Sequence, residues 1–236
     1  MALIPFAEKK LIPPGSNDPK IKARIGILHV DAGNAADLFD FFKNRSGGIE
    51  SHGHVRKDGH IYQYRDTAFQ ADANLDANDF AISFETQGFG DGEWTAEQLV
   101  SIKRLMLWAR DVHGIPLRKV TTWNDPVGGW GYHTLFGAPS HWTPVAKTCP
   151  GAKRIKQFNE ILVPWMKAQN AKEATVTENH VTRARDHLHR SIHQARLSIE
   201  ELEAVSPRRV KVRAQIIKLK AARVALKSVL NNLPTA

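Results

Sequence analysis

The chain lacks most of the features that would fix its class at once. It holds one cysteine, Cys149, in 236 residues. No intramolecular disulfide can form, so a buried core must hold the fold. No apolar run approaches the roughly 20 residues a membrane-spanning helix needs. Met1 to Pro14 carries two lysines but neither a long apolar stretch nor a small-residue cleavage site, and it does not read as a secretory signal. The last third, from Asn170 to Ala236, contains no glycine and no aromatic residue. A segment without aromatic faces offers bases nothing to stack on. No zinc-finger or RNA-binding signature accompanies it, so nucleic acid is not an expected partner.

Charge is present, and it is unevenly placed. The formal net charge is +9. From Ala168 to Ala236 there are 13 Lys and Arg against 6 Asp and Glu, a net of +7, which leaves +2 for residues 1–167. By charge alone such a segment favours anionic partners, whether nucleic acid, anionic lipid or teichoic-type wall polymers, unless it is only a solvated helical surface.

The grammar of the first two thirds is that of an α/β domain. Residues 1–20 hold four prolines and read as an extended lead-in. Arg24–Val30 is a short β-branched run, a buried strand. Asn34 is placed to cap a helix through about Asn44, with Leu38, Phe41 and Phe42 on one face. Asp58-Gly59 lies between two strand-like runs, His54–Lys57 and His60–Tyr64, and signals a hairpin. Phe80–Thr86 alternates like a strand. Thr95 and Gln98 form a capping box ahead of a helix that Gly114 and Pro116 end. Val120–Thr122 reads as another short strand. Residues 123–151 read as a long loop, a length that is usually functional. A helix is expected from Lys153 to Ala168.

After Gln169 the pattern changes to a narrow heptad-like seam. Val181, Leu188, Ile192, Ala195, Ile199 and Leu202 mark one helix, and Val212, Ile216, Leu219, Leu226, Leu230 and Leu233 mark a second. Ser206-Pro207 has the form of an N-cap and first helical residue between them. Arg185 and Arg223 interrupt the seam. The expected organisation is a lead-in over 1–20, an α/β domain over 21–169 and a basic helical hairpin over 175–234. The fold expected is a mixed central β-sheet flanked by helices, followed by the hairpin. Two helices bury little apolar surface alone, so the hairpin is also a candidate for pairing copies of the chain into a homo-oligomer.

His29 closes a buried-type strand and precedes a small-residue loop, where sites form in open α/β sheets. His133 and Cys149 both lie in the 123–151 segment. Two His and one Cys leave one position of tetrahedral zinc open, as in catalytic sites. Spacing alone does not make them a site, and for any single one of these histidines a hydrogen-bonded structural role is the reading to prefer.

Four segments, taken together and in order, change those odds. ILHVDAG, GGIESHGHVRKDGHIYQYRDT, NDFAISFETQG, and GYHTLFG followed by KTCPG resemble the type-2 amidases, a family that includes peptidoglycan recognition proteins and phage endolysins. The resemblance spans about residues 20–165 and is nearest to endolysins of phages infecting actinobacteria. It implies an N-acetylmuramoyl-L-alanine amidase that cuts bacterial peptidoglycan with zinc. It places the ion on His29, His133 and Cys149, with His141, at a shorter spacing from Cys149, as the other candidate ligand. It makes Glu85 the proton carrier and Lys147 the cation near the scissile carbonyl, with Thr148 as an alternative polar contact. Trp130 and Trp142, with Trp123, are candidate walls of a glycan groove or anchors over the core. The resemblance also implies synthesis in the host cytoplasm and action on the wall after release through the membrane. Glu50-Ser51-His52 and Ala71-Asp72-Ala73-Asn74 depart from the family pattern, and Glu50 is a second carboxylate to consider. The rival reading is a recognition module that binds peptidoglycan without cutting it.

Overall fold

A computed structural model describes residues 1–14, 18–44, 50–205 and 210–233. The chain divides into two compact units, Met1–Gln169 and Asn170–Ala236.

The first unit is built on six strands: β1 (Glu8–Lys9), β2 (Ile25–Leu28), β3 (Gly53–Val55), β4 (Ile61–Gln63), β5 (Ala81–Thr86) and β6 (Gly129–Tyr132). They lie in the order β1-β4-β3-β5-β2-β6. Only β3 and β4 pair antiparallel; every other neighbouring pair is parallel. This is the mixed sheet expected. β2 is buried at all four positions, as a strand with parallel neighbours on both sides must be.

Side-chain alternation divides β2 and β5 between two cores. Leu28, Ile82 and Phe84 join a cluster with Ile102, Leu105, Met106 and Ala109 of helix α2 (Ala96–His113). Ile25, Ile27 and Ala81 pack on the other face with Ala77, Val120 and Trp142. Each fully buried Ile, Leu or Phe stabilises the fold by roughly 1.5–3 kcal/mol. His29 and Glu85 continue the second alternation, so both emerge on the face away from α2. The capping box of α2 forms: Gln98 N donates to Thr95 Oγ1 at 3.0 Å and Thr95 N to Gln98 Oε1 at 3.1 Å. Gly114, at φ 71°, closes the helix in the left-handed conformation.

Several local expectations are corrected. The lead-in is part of the sheet: β1 pairs with β4, Ile4 is fully buried, and its N–H donates to Gln63 Oε1 at 2.8 Å. Asn34 caps no helix; its side chain accepts from Lys57 Nζ, and the short helix α1 (Phe39–Lys43) starts after Asp37, which takes the Phe39 N–H. Within α1 Phe42 is buried but Phe41 is half exposed. The hairpin turn is longer than Asp58-Gly59 alone. Arg56 N donates to His60 O, and Gly59 is the turn residue at positive φ, the form of a three-residue loop ending in a left-handed glycine. Val120–Thr122 is no strand, because the Thr121 N–H and hydroxyl both bind the Asp125 carboxylate.

The 123–151 segment hides β6. Glycine is a poor strand former, but here the glycines leave room for indoles. A Cβ on Gly26 would stand 2.4 Å from the Trp130 ring, and one on Gly131 2.8 Å from Trp142.

The helix expected over 153–168 is broken. Helix α3 (Ala152–Gln157) leads into a π turn at Phe158–Leu162, followed by helix α4 (Val163–Val205). Pro164 offers no N–H to the Glu160 carbonyl and crowds it, and a π turn relieves that clash. α4 then runs unbroken to Val205, because no glycine or proline lies between Pro164 and Ser206.

In the second unit the rest of α4 faces helix α5 (Val210–Asn231). Lys220 Nζ meets Glu203 Oε1 at 2.7 Å and Arg185 Nη2 donates to Leu233 O at 3.2 Å. The end of α4 therefore meets the middle of α5, and an earlier part of α4 meets the residue just past the end of α5, so the pair is antiparallel. Ile199 and Ile216 are buried in the seam, while Leu188, Ile192, Leu219, Leu226 and Leu230 are half-buried. The Ser206-Pro207 turn lies outside the described residues.

Candidate functional site

His29 follows β2 directly, and the pairing of Leu28 with Phe84 sets Glu85 beside it on β5. His133 follows β6, whose Tyr132 pairs with Leu28 on the other side of β2. Three adjacent parallel strands thus deliver three of the candidate side chains at their C-terminal ends, the usual site position in such sheets. Cys149 arrives from the loop before α3. Its sulfur accepts from Val30 N at 3.2 Å, and Thr134 Oγ1 donates to its carbonyl at 2.8 Å.

The ligand atoms of His29, His133 and Cys149 all lie within 4.8 Å of one another, and the two imidazole centroids are 4.2 Å apart. His29 Nε2 lies 2.8 Å from Asn74 Oδ1, and His133 Nε2 lies 2.9 Å from the Trp142 carbonyl. Each oxygen can only accept, so each Nε2 carries the proton and each Nδ1 keeps a free lone pair. Such fixing of imidazoles from outside is typical of metal sites. Burial holds His29 well below the usual histidine range, with His133 adding to the effect, and burial lowers His133 to about 4. Both rings are neutral, as ligands must be. Burial pushes the Cys149 thiol up to about 12, so without a cation the sulfur keeps its proton. Two imidazoles and one sulfur, with a fourth direction open to a cleft, fit a catalytic zinc.

The cleft has a volume of about 820 Å³. Glu85 stands in its wall, Oε1 3.9 Å from His29 Nδ1. Burial pushes its carboxyl up to about 7, while the hydrogen bond from Ser51 Oγ (3.2 Å) and the charge of Lys147 hold it down. Its Oε2 is buried without a hydrogen-bond partner, so a proton-accepting atom is left uncommitted. Lys147 and Thr148 are exposed side chains lining the same cleft.

Other residues named from sequence fall elsewhere. His141 is outside the His-His-Cys group; it is exposed, pairs with Asp76 at 2.7 Å and stacks on Trp123 at 4.1 Å. Trp130 is corrected: it is fully buried in the main core over Gly26 and does not line the cleft. The gap at Gly26 draws the indole inward. Trp142 borders the cleft but is itself fully buried, with its indole N–H on the Trp123 carbonyl. Its contribution is the backbone carbonyl on His133. Glu50 lines the cleft but is tied to Arg65, which also meets Asp18 at 2.9 Å. His52 is a core residue, with Nε2 on the Phe69 carbonyl and Nδ1 accepting from Ser83 N. Sequence reasoning missed Ser51 and Asn74 as partners of Glu85 and His29. Both sit in the segments that depart from the family pattern, which was the available signal.

Comparison with solved structures agrees with the fold. Peptidoglycan recognition protein-LE in complex with tracheal cytotoxin aligns with 66% of this chain and 94% of its own, at 14% identity and TM-score 0.53. Human PGRP-IBETAC in complex with glycosamyl muramyl pentapeptide aligns with 67% and 97%, at 17% identity and TM-score 0.51. The N-acetylmuramoyl-L-alanine amidase LysC from Clostridium intestinale URNW aligns with 66% and 98%, at 17% identity and TM-score 0.49. No curated protein sequence matches the chain at a significant level. The sequence model of the N-acetylmuramoyl-L-alanine amidases matches residues 19–152, more than half of the chain, and encloses His29, Glu85, His133 and Cys149. The chain belongs to the N-acetylmuramoyl-L-alanine amidase family.

Proposed function

We propose that this chain hydrolyses peptidoglycan at the amide bond between N-acetylmuramic acid and L-alanine, with zinc held by His29, His133 and Cys149. The observation that carries the reading is the convergence of those three ligand atoms within 4.8 Å, beside a carboxylate with a free oxygen. Bound there, zinc would lower the pKa of a water at its open position to about 7 and polarise the scissile carbonyl. Glu85 takes the proton of the attacking water and returns it to the amide nitrogen as the C–N bond breaks. A carboxyl near 7 is poised to do both at neutral pH. The Lys147 ammonium stabilises the developing oxyanion from the exposed side of the cleft, with Thr148 beside it as a hydrogen-bonding group. Asn74 and the Trp142 carbonyl keep the imidazoles in the ligating tautomer.

The alternative is a module that binds peptidoglycan without cutting it. A complete ligand set with a neighbouring proton acceptor favours the enzyme. Metal analysis separates the two: the purified protein is expected to hold about one zinc per chain, and a chelator should stop wall lysis until Zn²⁺ is returned. A chain that binds walls with no zinc and no lysis is the recognition module.

In this reading the protein acts as a phage endolysin, made in the host cytoplasm and acting on the wall after release. The C-terminal helical pair, with its net +7, holds the enzyme on anionic wall polymers. Removing residues 172–236 is expected to leave cleavage of soluble muropeptide unchanged and to weaken binding to whole walls. The difference should shrink as salt screens the charge. Unchanged wall binding at low salt would assign the pair to oligomerisation instead, which sedimentation of the full chain would register.

A further inference from the structure

Two arginines are buried among the described residues, Arg65 and Arg154, and the mechanism uses neither; Arg65 is taken up by Glu50 and Asp18. Arg154, in α3, is 1% exposed. Its Nη1 donates to the Phe89 carbonyl at 2.5 Å and to the Pro150 carbonyl at 3.3 Å. Pro150 follows Cys149, and Phe89 follows the end of the Glu85 strand. Buried beside this group is Asp31, two residues after His29. Its Oδ1 accepts from Gly33 N at 3.0 Å and Gly88 N at 2.9 Å, and its Oδ2 lies 3.3 Å from His54 Nε2. His54 is fully buried and pairs in register with Glu85.

We propose that Arg154 and Asp31 are positioning residues of the metal centre, a buried cation and anion that fix the Cys149 segment and the end of the Glu85 strand against the His29 loop. The proposal rests on the metal reading given above.

Three observations carry it. The loop leading to Cys149 has little else to hold it, since Pro144 to Thr148 are all exposed. The anchoring therefore falls on the contacts of Cys149 itself with Val30 and Thr134 and on the residues that follow it. Arg154 spans two segments that no strand pairing joins, and the guanidinium plane fixes the directions of both Nη1 N–H bonds, whereas the N–H bonds of an ammonium rotate. The backbone around it is shaped for this contact. A Cβ on Gly88 (φ +137°) would stand 2.4 Å from Arg154 Nη2, and one on Gly151 (φ +99°) would stand 1.7 Å from the Gly90 carbonyl oxygen. The 88–92 and 149–151 segments can approach this closely only because both positions are glycine. Asp31 completes the arrangement by tying the His29 loop to Gly88 through one oxygen. Loss of a group that orients a ligand from outside typically lowers metal affinity or activity by about 10–100-fold.

The test uses the full chain with cobalt(II), whose thiolate charge-transfer band reports Cys149 directly, and measures metal affinity at a temperature where each variant is folded by circular dichroism. R154K keeps the charge but loses the fixed in-plane N–H directions of Nη1 that set the two carbonyls relative to each other. It is expected to bind cobalt at least about tenfold more weakly than the unaltered chain, with a weaker or shifted thiolate band. G88A, which pushes the guanidinium aside, should do the same. D31N, which keeps a carbonyl acceptor but removes the charge, should show a smaller loss. A residue that serves stability alone would lower the melting temperature and leave the cobalt affinity of the folded protein unchanged. That result in R154K and G88A would overturn the proposal while leaving the metal reading intact. Failure of the unaltered chain to take up cobalt at all would bring down both.

Discussion

Replacing His133 by alanine is expected to strip the metal from the protein and to lower wall lysis by about 10⁴-fold or more, whereas His141→Ala should keep both. The size follows from what the ion supplies, because an unassisted water returns from a pKa near 7 to 15.7 and no longer attacks as hydroxide at neutral pH. The contrast follows from geometry. His133 follows β6, next to β2, with its Nε2 fixed on the Trp142 carbonyl and a ring nitrogen within 4.8 Å of the other ligand atoms. His141 is exposed and already engaged with Asp76 and Trp123. Zinc content and lysis of the two variants are measured side by side. Metal lost from His141→Ala and retained in His133→Ala would move the ligand assignment to His141.

The second large effect is expected at Glu85. Glu85→Gln preserves shape and the hydrogen bond from Ser51 but cannot accept a proton. Zinc content and melting temperature should stay near those of the unaltered chain, and turnover should fall by about 10²–10⁴-fold, the scale of general acid–base groups. The loss should appear in kcat rather than KM, because Glu85 acts on the attacking water and the leaving nitrogen rather than on substrate binding. A near-normal rate would shift the role elsewhere. Glu50 is the nearest alternative by sequence, but its carboxylate is already bound to Arg65.

The parts of the fold that sequence made legible are those set by local rules. β2 was readable because a buried parallel strand is a short β-branched apolar run, β5 because its residues alternate, and α2 because its capping box and left-handed glycine mark both ends. β6 was not readable. Gly129-Trp130-Gly131-Tyr132 has the composition of a loop, and its strand character comes from indoles packing over glycines on two strands, a tertiary fact. The same fact misplaced Trp130, whose size suggested a groove wall and whose ring instead fills the space above Gly26. The break before α4 was legible in principle, since Pro164 stood in plain view. In the site, the metal-binding candidates rested on resemblance, and their convergence needed three strands to be set side by side. Ser51 and Asn74 were marked only by the departures from the family pattern, and Asp31 and Arg154 were beyond reach because their roles exist only as contacts with residues far away in the chain.

The central claim is the bond that is cut. Purified peptidoglycan is digested by the full chain, with and without a chelator, and the soluble products are analysed by mass spectrometry. The account predicts stem peptides with new L-alanine amino termini and glycan strands with free lactyl groups on muramic acid, formed only while zinc is bound. New reducing sugar ends, or cleavage unaffected by the chelator, would contradict it.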